Sequence, residues 1–590
     1  MNRIIKFVRF YNDLPGSRSL YQSGTQLASK AGLLPKDGPT LSDFMNPPSS
    51  FQHELNKTSA NMRSTSNGMR YFIETYGCQM NVNDSDIVHQ VLQEEGFRTA
   101  GSAEDADVVL LNTCAIRENA ESKIWQRLGY FKNLKVQRRA KMGHYGTGPV
   151  VSVLGCMAER LKQKLLDSDK LVDIVVGPDA YRDLPRLIEI VKPVESKEKN
   201  DIPTAMNVQL SLEETYADII PIRTAGDKSV FLSIMRGCNN MCSFCVVPYT
   251  RGRERSRDMS SIINEVRYLR DIGTKEITLL GQNVNSYADF QDLRPKVDSS
   301  KNYFEKEYAK GFVSVYKPMR EGSKRFSDLL HEVASIDPEI RLRFTSPHPK
   351  DFSKDVIEAI KSHDNICKQL HMPAQSGSST VLERMKRGYT RKAYDELVRE
   401  IRDEIPGVAL STDMIAGFCL ESESEHLESV DLMRSIKFDL AFLFAYSRRD
   451  KTHAARHYDD NVPENIKLRR LQELIHEYRQ GLEEIAIEEI GRRHIVLVEG
   501  SSKRGNGQLT GRTDSFKRVV FDDEKVLESY KNDCSPSTCN YVSLKPGDYA
   551  AVEIIQGGKG ATLHAKALAK TTIREFVALH QTTIPLNKYL

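Results

Sequence analysis

No stretch of the chain approaches the ~18 consecutive apolar residues that a membrane helix needs, which excludes a helical membrane-spanning protein. Cysteine is scarce, with 10 in 590 residues, too few and too unevenly placed for a disulfide-stapled scaffold. Tryptophan occurs once, so any stacking on nucleic-acid bases falls to Phe, Tyr or Arg. Neither sign of charge dominates: 84 Lys and Arg face 80 Asp and Glu, a formal net of +4. That balance excludes a uniformly basic nucleic-acid binder and confines any basic surface to one part of the chain. What is present is ordinary globular material, 39% hydrophobic and 28% charged, enough for a large core. At roughly 150 residues per domain the length suggests about four folding units, fewer if one is a barrel.

The order of composition along the chain divides it. Residues 1–35 carry Arg3, Lys6, Arg9, Arg18 and Lys30 against the single acid Asp13, with Ile4, Ile5, Phe7 and Val8 among the bases. This basic, acid-poor, amphipathic leader predicts an organelle transit peptide rather than a secretory signal; a disordered basic tail is the competing reading. Residues 36–69 are rich in Ser, Asn, Pro and Thr and read as an unstructured linker. In residues 70–192 the short apolar runs Tyr71–Tyr76, Val108–Asn112, Val150–Leu154 and Ile174–Val176 alternate with helical patterns, predicting an open parallel α/β sheet. Residues 193–218 turn charged and aperiodic, as an interdomain linker would.

A second α/β series occupies residues 219–488. Its strand candidates are Phe231–Met235, Glu276–Leu280, Arg341–Thr345, Lys368–Met372, Val408–Asp413 and Ala441–Tyr446, which predict a partial (β/α)6 barrel. The insertion 288–325, charged with Tyr303, Phe304, Tyr308, Phe312 and Tyr316 interspersed, reads as a solvated surface excursion. A charged amphipathic helix over 465–489 bridges to residues 490–571, where Ile495–Val498, Val519–Phe521, Tyr549–Ile554 and Leu563–Leu568 with polar turns predict a small β-barrel. Between Gly491 and Lys570 stand 13 Lys and Arg against 9 Asp and Glu, so this segment alone holds the chain's excess of positive charge. The expected fold class is therefore α/β, with a small β domain at the carboxyl end.

One cysteine group stands out by spacing. Arg236-Gly-Cys238-Asn-Asn-Met-Cys242-Ser-Phe-Cys245 directly follows the first strand of the barrel series. Three thiolates can hold three irons of a [4Fe–4S] cube and leave the fourth iron without a protein ligand. Zinc is the rival, but a structural zinc site wants four ligands, and neither a histidine nor a fourth cysteine is near in sequence. The spacing Cys-x3-Cys-x2-Cys resembles that of the radical S-adenosylmethionine (SAM) enzymes, position by position. The resemblance implies that the open iron binds the amino and carboxylate groups of SAM, and that one electron releases a 5′-deoxyadenosyl radical. The protein's share is to position and shield that chemistry.

Cys78, Cys114 and Cys156 are dispersed, yet each ends an apolar run and precedes a helical pattern. In a parallel sheet all three emerge at the carboxyl edge, where open α/β sheets bind ligands. This favours a second three-thiolate cluster over three independent core cysteines. With both groups in view the chain resembles the methylthiotransferases among the radical SAM enzymes. The resemblance runs through Glu74–Asn81, Asn112–Arg117, Gly155–Glu159, Gly281–Ser286, Thr345–Pro349, His371–Ser378, Met385–Thr390 and Thr412–Phe418, and ends in a β domain similar to the RNA-binding TRAM module. Phe442–Ser447, the insertion and the leader look most like the animal mitochondrial member. One departure is Gly417-Phe-Cys419-Leu420-Glu421-Ser422-Glu423, where the family often reads Gly-Phe-Pro-Gly-Glu-Thr-Glu. A leucine in place of a turn glycine is strained if that residue needs positive φ. Cys367 and Cys419 read as ordinary barrel cysteines, and Cys534 and Cys539 as a free surface pair.

The resemblance implies sulfur insertion at C2 of an adenine in tRNA, N6-isopentenyladenosine beside the anticodon. It implies two [4Fe–4S] clusters and SAM as cofactors, an electron donor of ferredoxin or flavodoxin type, a sulfur source, and a mitochondrial matrix location with a cytoplasmic or nuclear pool as an alternative. No catalytic residue beyond the cluster ligands is expected. Gln282, Ser346, Gln375 and Asp413 lie at or just past strand ends, where polar groups can hold SAM, and Phe244 between two ligands can shape the adenine pocket; loop hydrogen bonding is the competing reading for each. Arg492, Arg493, Lys503, Arg504, Arg512, Lys517 and Arg518 are candidate phosphate contacts, against a merely solvated surface. Two alternatives keep the family but change the substrate, to threonylcarbamoyladenosine in tRNA or a ribosomal-protein aspartate. Two abandon it: a non-catalytic kinase-binding regulatory protein and a simple electron-transfer protein.

Overall fold

The computed structural model describes residues 68–580 apart from 116–117, 143–147, 168–170, 192–202, 212, 224–225, 290–307, 314–322, 504, 506, 532–539 and 558–561. The basic leader, nearly all of the 36–69 linker, most of the 288–325 insertion, Arg504, Cys534 and Cys539 lie outside the described residues.

Six parallel strands form the first sheet in the order Arg98–Thr99, Arg70–Thr75, Val108–Thr113, Val150–Gly155, Ile174–Val176, Ala205–Asn207. Its central strands are buried on both faces, which is why they read as continuous Val and Leu runs rather than alternating ones. Period-two geometry sends Val108, Leu110 and Leu154 to Ile87, Val88 and Leu92 of the helix Gln79–Glu94. Val109, Leu111 and Val151 go to the opposite side, against Ile124, Leu128 and Phe131. The edge strand Ala205–Asn207 falls in the segment read as a linker. Three residues joined by backbone hydrogen bonds at an edge leave no periodicity to detect.

The second series forms two parallel triplets, Ser229–Ser233 with Glu276–Leu280 and Arg341–Phe344, and Gln369–His371 with Ala409–Ala416 and Leu440–Ala445. A parallel bridge between Leu342 and Ile366 joins them into the expected six-stranded partial barrel. Helices cover its outer face, and one apolar core runs from Val230 to Leu474. The described part of the insertion departs from the solvated excursion expected. Ala309 and Phe312 are buried in that core, Phe312 lies 4.8 Å from the Tyr389 ring, and the Val313 amide donates to the Gly388 carbonyl.

The carboxyl-terminal strands Arg518–Asp522, Gln508–Thr513, Arg493–Ser501, Tyr549–Gly557 and Thr562–Thr571 pair in that order. Parallel pairing of Arg518–Val520 with Thr562–His564 closes them into a barrel. This unit docks under the amino ends of the central strands. Arg341 donates to the carbonyls of Ile495 and Arg512, and Arg343 to those of Thr513 and Asp514, while Glu276 accepts from Arg343 Nε at 2.8 Å. The opposite, carboxyl end of the central barrel is the one left for chemistry. Among the described residues no helix is long and apolar enough to cross a membrane.

Candidate active site at two cysteine triads

The first triad is built by three neighbouring strand ends. Thr75 pairs with Asn112 and Thr113 with Gly155 at the carboxyl edge of the sheet, and each strand runs on into Cys78, Cys114 or Cys156. Gly77 lets the loops touch: a Cβ there would sit 2.4 Å from the Cys114 Cβ. A hydrogen bond with Cys114 holds the Cys78 thiol down at about 6, burial opposes it, and the Arg251 guanidinium assists. Burial pushes the Cys156 thiol up. Arg251 Nε donates to Cys156 Sγ at 3.0 Å, and Arg251 Nη2 donates to Asn81 Oδ1 at 3.3 Å.

That arginine belongs to a buried charge network. Asp84 lies 2.7 Å from Arg251 Nη1 and 2.8 Å from Arg236 Nη2. These contacts are close without hydrogen-bond alignment, so they act as Coulombic pairs. Tyr181 Oη donates to Asp84 at 3.3 Å, and Arg236 stacks over the Tyr216 ring at 4.7 Å. Asp84 comes from the first sheet's helix, whereas Arg236 and Arg251 flank the Cys238–Cys245 loop. One carboxylate thereby pins the two regions together.

The second triad sits on that loop. Gly237 has φ +75, and a Cβ there would lie 1.9 Å from the Arg253 carbonyl oxygen, so only glycine fits. The amides of Asn240 and Val247 donate to the sulfurs of Cys238 and Cys245 at 3.4 and 3.5 Å. The buried Arg387 donates to Cys242 Sγ at 3.2 Å and to the Pro373 carbonyl at 2.8 Å. Burial raises the Cys238 thiol, and raises Cys245 to about 12 with Cys242 adding to it. The Ser243 amide donates to the Met385 carbonyl, and its own carbonyl accepts from the Ala454 amide.

The triads adjoin. Val246, next to Cys245, packs with Ala115 and Cys156, and the short helix Val247–Thr250 ends at Arg251 on the Cys156 sulfur. Among the described residues no three His, Cys, Asp or Glu side chains converge on a single metal ion. Each triad has two buried thiols and one half-buried one, and beside the second the Asn240 Nδ2 and Ser243 Oγ atoms have no partner among the described residues, a setting that suits a sulfur-bridged cluster.

The other candidates divide. Gln282 Oε1 accepts from the Gly237 amide at 2.5 Å and so braces the loop. Ser346 is exposed with φ +60, and its carbonyl accepts from Val284. Gln375, at φ +72, donates its amide to the Asp413 carbonyl at 2.9 Å, and the Asp413 carboxylate lies 3.4 Å from His371 Nε2. The Phe244 ring packs against the cluster of Val381, Phe418 and Tyr446. In the β domain Arg492 pairs with Glu489, Arg493 with Glu553, and Arg512 with Glu499. Lys517 pairs with Asp439 and Glu489 and is only 12% exposed, so it docks the domain onto the barrel. Lys503 and Arg518 are exposed, the latter donating to Thr510 Oγ1. Cys367 and Cys419 are buried. Sequence reasoning missed Asp84, Arg236, Arg251 and Arg387; their nearness to the cysteines in sequence, or to a quoted motif, was the available signal.

Comparison with known proteins places this site in a family. The model of the uncharacterized protein family UPF0004 matches residues 70–177, and that of the radical SAM superfamily matches residues 232–433. The chain is 48% identical over 509 residues to the mitochondrial tRNA methylthiotransferase CDK5RAP1 of Rattus norvegicus, covering 86% of this chain and 82% of the relative. It is 49% identical over 521 residues to a CDK5RAP1-like protein of Oryza sativa subsp. japonica, covering 87% and 83%. The tRNA-2-methylthio-N(6)-dimethylallyladenosine synthase of Chloroherpeton thalassium is 46% identical over 452 residues, covering 77% and 90%. Among solved structures, the radical S-adenosylmethionine methyltransferase TsrM of Kitasatospora setae gives a TM-score of 0.43 at 13% identity, over 66% of this chain and 77% of that one. Near-half identity across most of both chains, with the two triads within the residues that the two family models match, means that this chain belongs to the radical SAM methylthiotransferase family.

Proposed function

We propose that this chain converts N6-isopentenyladenosine at position 37 of tRNA, beside the anticodon, to its 2-methylthio derivative, acting in mitochondria. The observation that carries the reading is the adjacency of two largely buried thiol triads through Cys245–Arg251. Sulfur insertion at an unactivated carbon needs hydrogen removal and sulfur delivery at one place. The relatives whose printed names specify tRNA methylthiolation and 2-methylthio-N(6)-dimethylallyladenosine synthesis support the substrate.

Cys238, Cys242 and Cys245 would hold the cluster that binds SAM, and Cys78, Cys114 and Cys156 a second one. When bound, the first supplies the carbon radical that an aromatic C–H requires. The chain's own residues hold and shield. Arg387 and the Asn240 and Val247 amides stabilise thiolate charge on one triad, and Arg251 does so on the other. Gln282 fixes the loop through Gly237, and Gln375 and Asp413 line the strand ends where SAM would lie. Lys503, Arg504 and Arg518 remain the candidate phosphate contacts, giving affinity and salt dependence rather than base identity. An unpaired anticodon-loop base is cheaper to extrude than one in a duplex. A ferredoxin- or flavodoxin-type donor and a sulfur source complete the scheme.

Two measurements test this. Nucleoside mass spectrometry on cells lacking the protein should show loss of 2-methylthio-N6-isopentenyladenosine; its persistence overturns the substrate. Anaerobically purified protein should carry about eight irons, and about four when either triad is changed to Ala, from one cube per triad. Full iron retention without Cys78, Cys114 and Cys156 removes the second cluster.

A further inference from the structure

The last strand of the central barrel, Leu440–Ala445, reads Leu-Ala-Phe-Leu-Phe-Ala and alternates in burial. Ala441 and Leu443 pack outward onto the core beneath the helix Glu464–Glu488, with Leu471, Leu474 and Tyr478. Phe442 and Phe444 therefore point to the inner face. There Phe442 is in register with Asp413 and Phe444 with Ile415, and the Phe442 ring meets the His371 ring edge-on at 6.1 Å. A closed barrel fills such positions with packed side chains. Here the strand is hydrogen-bonded along one edge only among the described residues, and Phe442 and Phe444 stay 39% and 40% exposed. Two adjacent exposed aromatic rings inside a barrel are an apolar contact surface awaiting an occupant.

Charge identifies the occupant. The three strands of this half, Gln369–His371, Ala409–Ala416 and Leu440–Ala445, contain no Lys or Arg and a single acid, Asp413, facing His371 at 3.4 Å. An anionic group beside the rings would meet Asp413 with no strand cation to balance it. A flat heterocycle with a short branched hydrocarbon suits the rings, which offer stacking and apolar contact together. The Asp413 carbonyl also accepts from Gln375, so this surface adjoins the strand ends assigned above to SAM.

We infer that Phe442 and Phe444 form the wall on which the target adenine and its isopentenyl chain rest, and that this wall rejects an N6 substituent carrying a carboxylate. The inference rests on the isopentenyladenosine reading above and gives it a specificity determinant. The test uses reconstituted full-length protein and three anticodon stem–loop RNAs differing only at N6 of the target: isopentenyl, unsubstituted and threonylcarbamoyl. Phe442→Ala/Phe444→Ala should weaken binding of the isopentenyl RNA about 10- to 200-fold, the range for loss of a few apolar contacts and a stack, and raise KM more than it lowers kcat. Its preference for isopentenyl over unsubstituted RNA should fall towards unity, and Phe442→Leu/Phe444→Leu should restore much of it. Phe442→Lys, a change at an already exposed ring, should weaken the isopentenyl RNA and favour the threonylcarbamoyl RNA relative to wild type. Unchanged preference in the Ala pair, at wild-type melting temperature and iron content, overturns the inference. If the Ala pair loses iron or unfolds, unchanged preference in Phe442→Lys overturns it instead. Wild type that makes no methylthio product from isopentenyl RNA defeats the substrate reading itself, and the wall falls with it; product formation with variant-insensitive preference defeats the wall alone.

Discussion

The two triads reach the same donor set by opposite routes. Cys238, Cys242 and Cys245 lie within eight residues on one loop, shaped by Gly237 and tied down at Ser243 from both sides. Cys78, Cys114 and Cys156 are assembled by sheet register from strand ends far apart in sequence. Each triad receives one buried arginine, but the two arginines are supported differently. Arg251 is charge-paired to Asp84, which also holds Arg236, whereas Arg387 is held by a carbonyl and the Tyr389 hydroxyl. A loop site is local and self-contained; a register site depends on the fold around it.

That contrast can be broken by experiment, and the largest effect is on the reaction. Replacing Cys238, Cys242 and Cys245 by Ala should abolish both methylthiolation and reductive formation of 5′-deoxyadenosine from SAM. Replacing Cys78, Cys114 and Cys156 should abolish methylthiolation while 5′-deoxyadenosine is still produced. Chromatography of the nucleoside products separates the two, and identical behaviour of the two variants would erase the proposed division of labour.

Stability should also distinguish the arginines. Arg251→Ala strands the buried Asp84 with one partner fewer, a loss of about 3 to 5 kcal/mol by the usual cost of breaking a buried pair. Arg387→Ala removes the donor to the Pro373 carbonyl, the Tyr389 hydroxyl and the Cys242 sulfur but strands no buried carboxylate, and about 1 to 3 kcal/mol is expected. Denaturant unfolding of the two single variants, with iron content measured alongside, reads this ordering; equal losses would mean that the Asp84 network adds nothing. The smallest effect lies away from both triads. Leu420 has φ +62 and is 45% exposed, so Leu420→Gly should stabilise the chain by about 1 kcal/mol without altering iron content at either triad. A lower melting temperature in that variant would show that the side chain outweighs its backbone strain.

Much of the architecture was legible because it rests on short apolar runs between turn signals. Ile174–Val176 and Glu276–Leu280 are strands with the bounds expected from sequence. The positive φ suspected at Leu420 is present. Gln508–Thr513 escaped notice because it reads Gln-Leu-Thr-Gly-Arg-Thr, too polar for a core strand. Gly511 is required there by the close approach of the neighbouring strand, where a Cβ would lie 2.3 Å from the Leu497 carbonyl oxygen. The basic residues of the β domain are legible only in part. Composition reports a net excess but not its pairing, and Lys517 spends its charge on Asp439 and Glu489. The aromatics at 308 and 312 looked like surface because their neighbours in sequence are charged, yet they pack on Lys350 and Tyr389.

By itself the sequence determined the chemistry on offer: three thiols within eight residues on a Gly- and Asn-containing stretch, three more at the ends of apolar runs, and strands enough for two parallel sheets and a small barrel. Those properties are local, set by side-chain type and by periods of two and 3.6 residues. Tertiary structure alone decided that the triads adjoin, that Asp84 gathers Arg236 and Arg251 from the far side of the interface, and that Phe442 and Phe444 face an open interior. Each of these depends on which strand end meets which loop across long stretches of chain, as when Arg251 reaches Asn81, and on which edge of the barrel stays unpaired. Packing and register set such distances, and one chain's residue order does not encode them in any readable period.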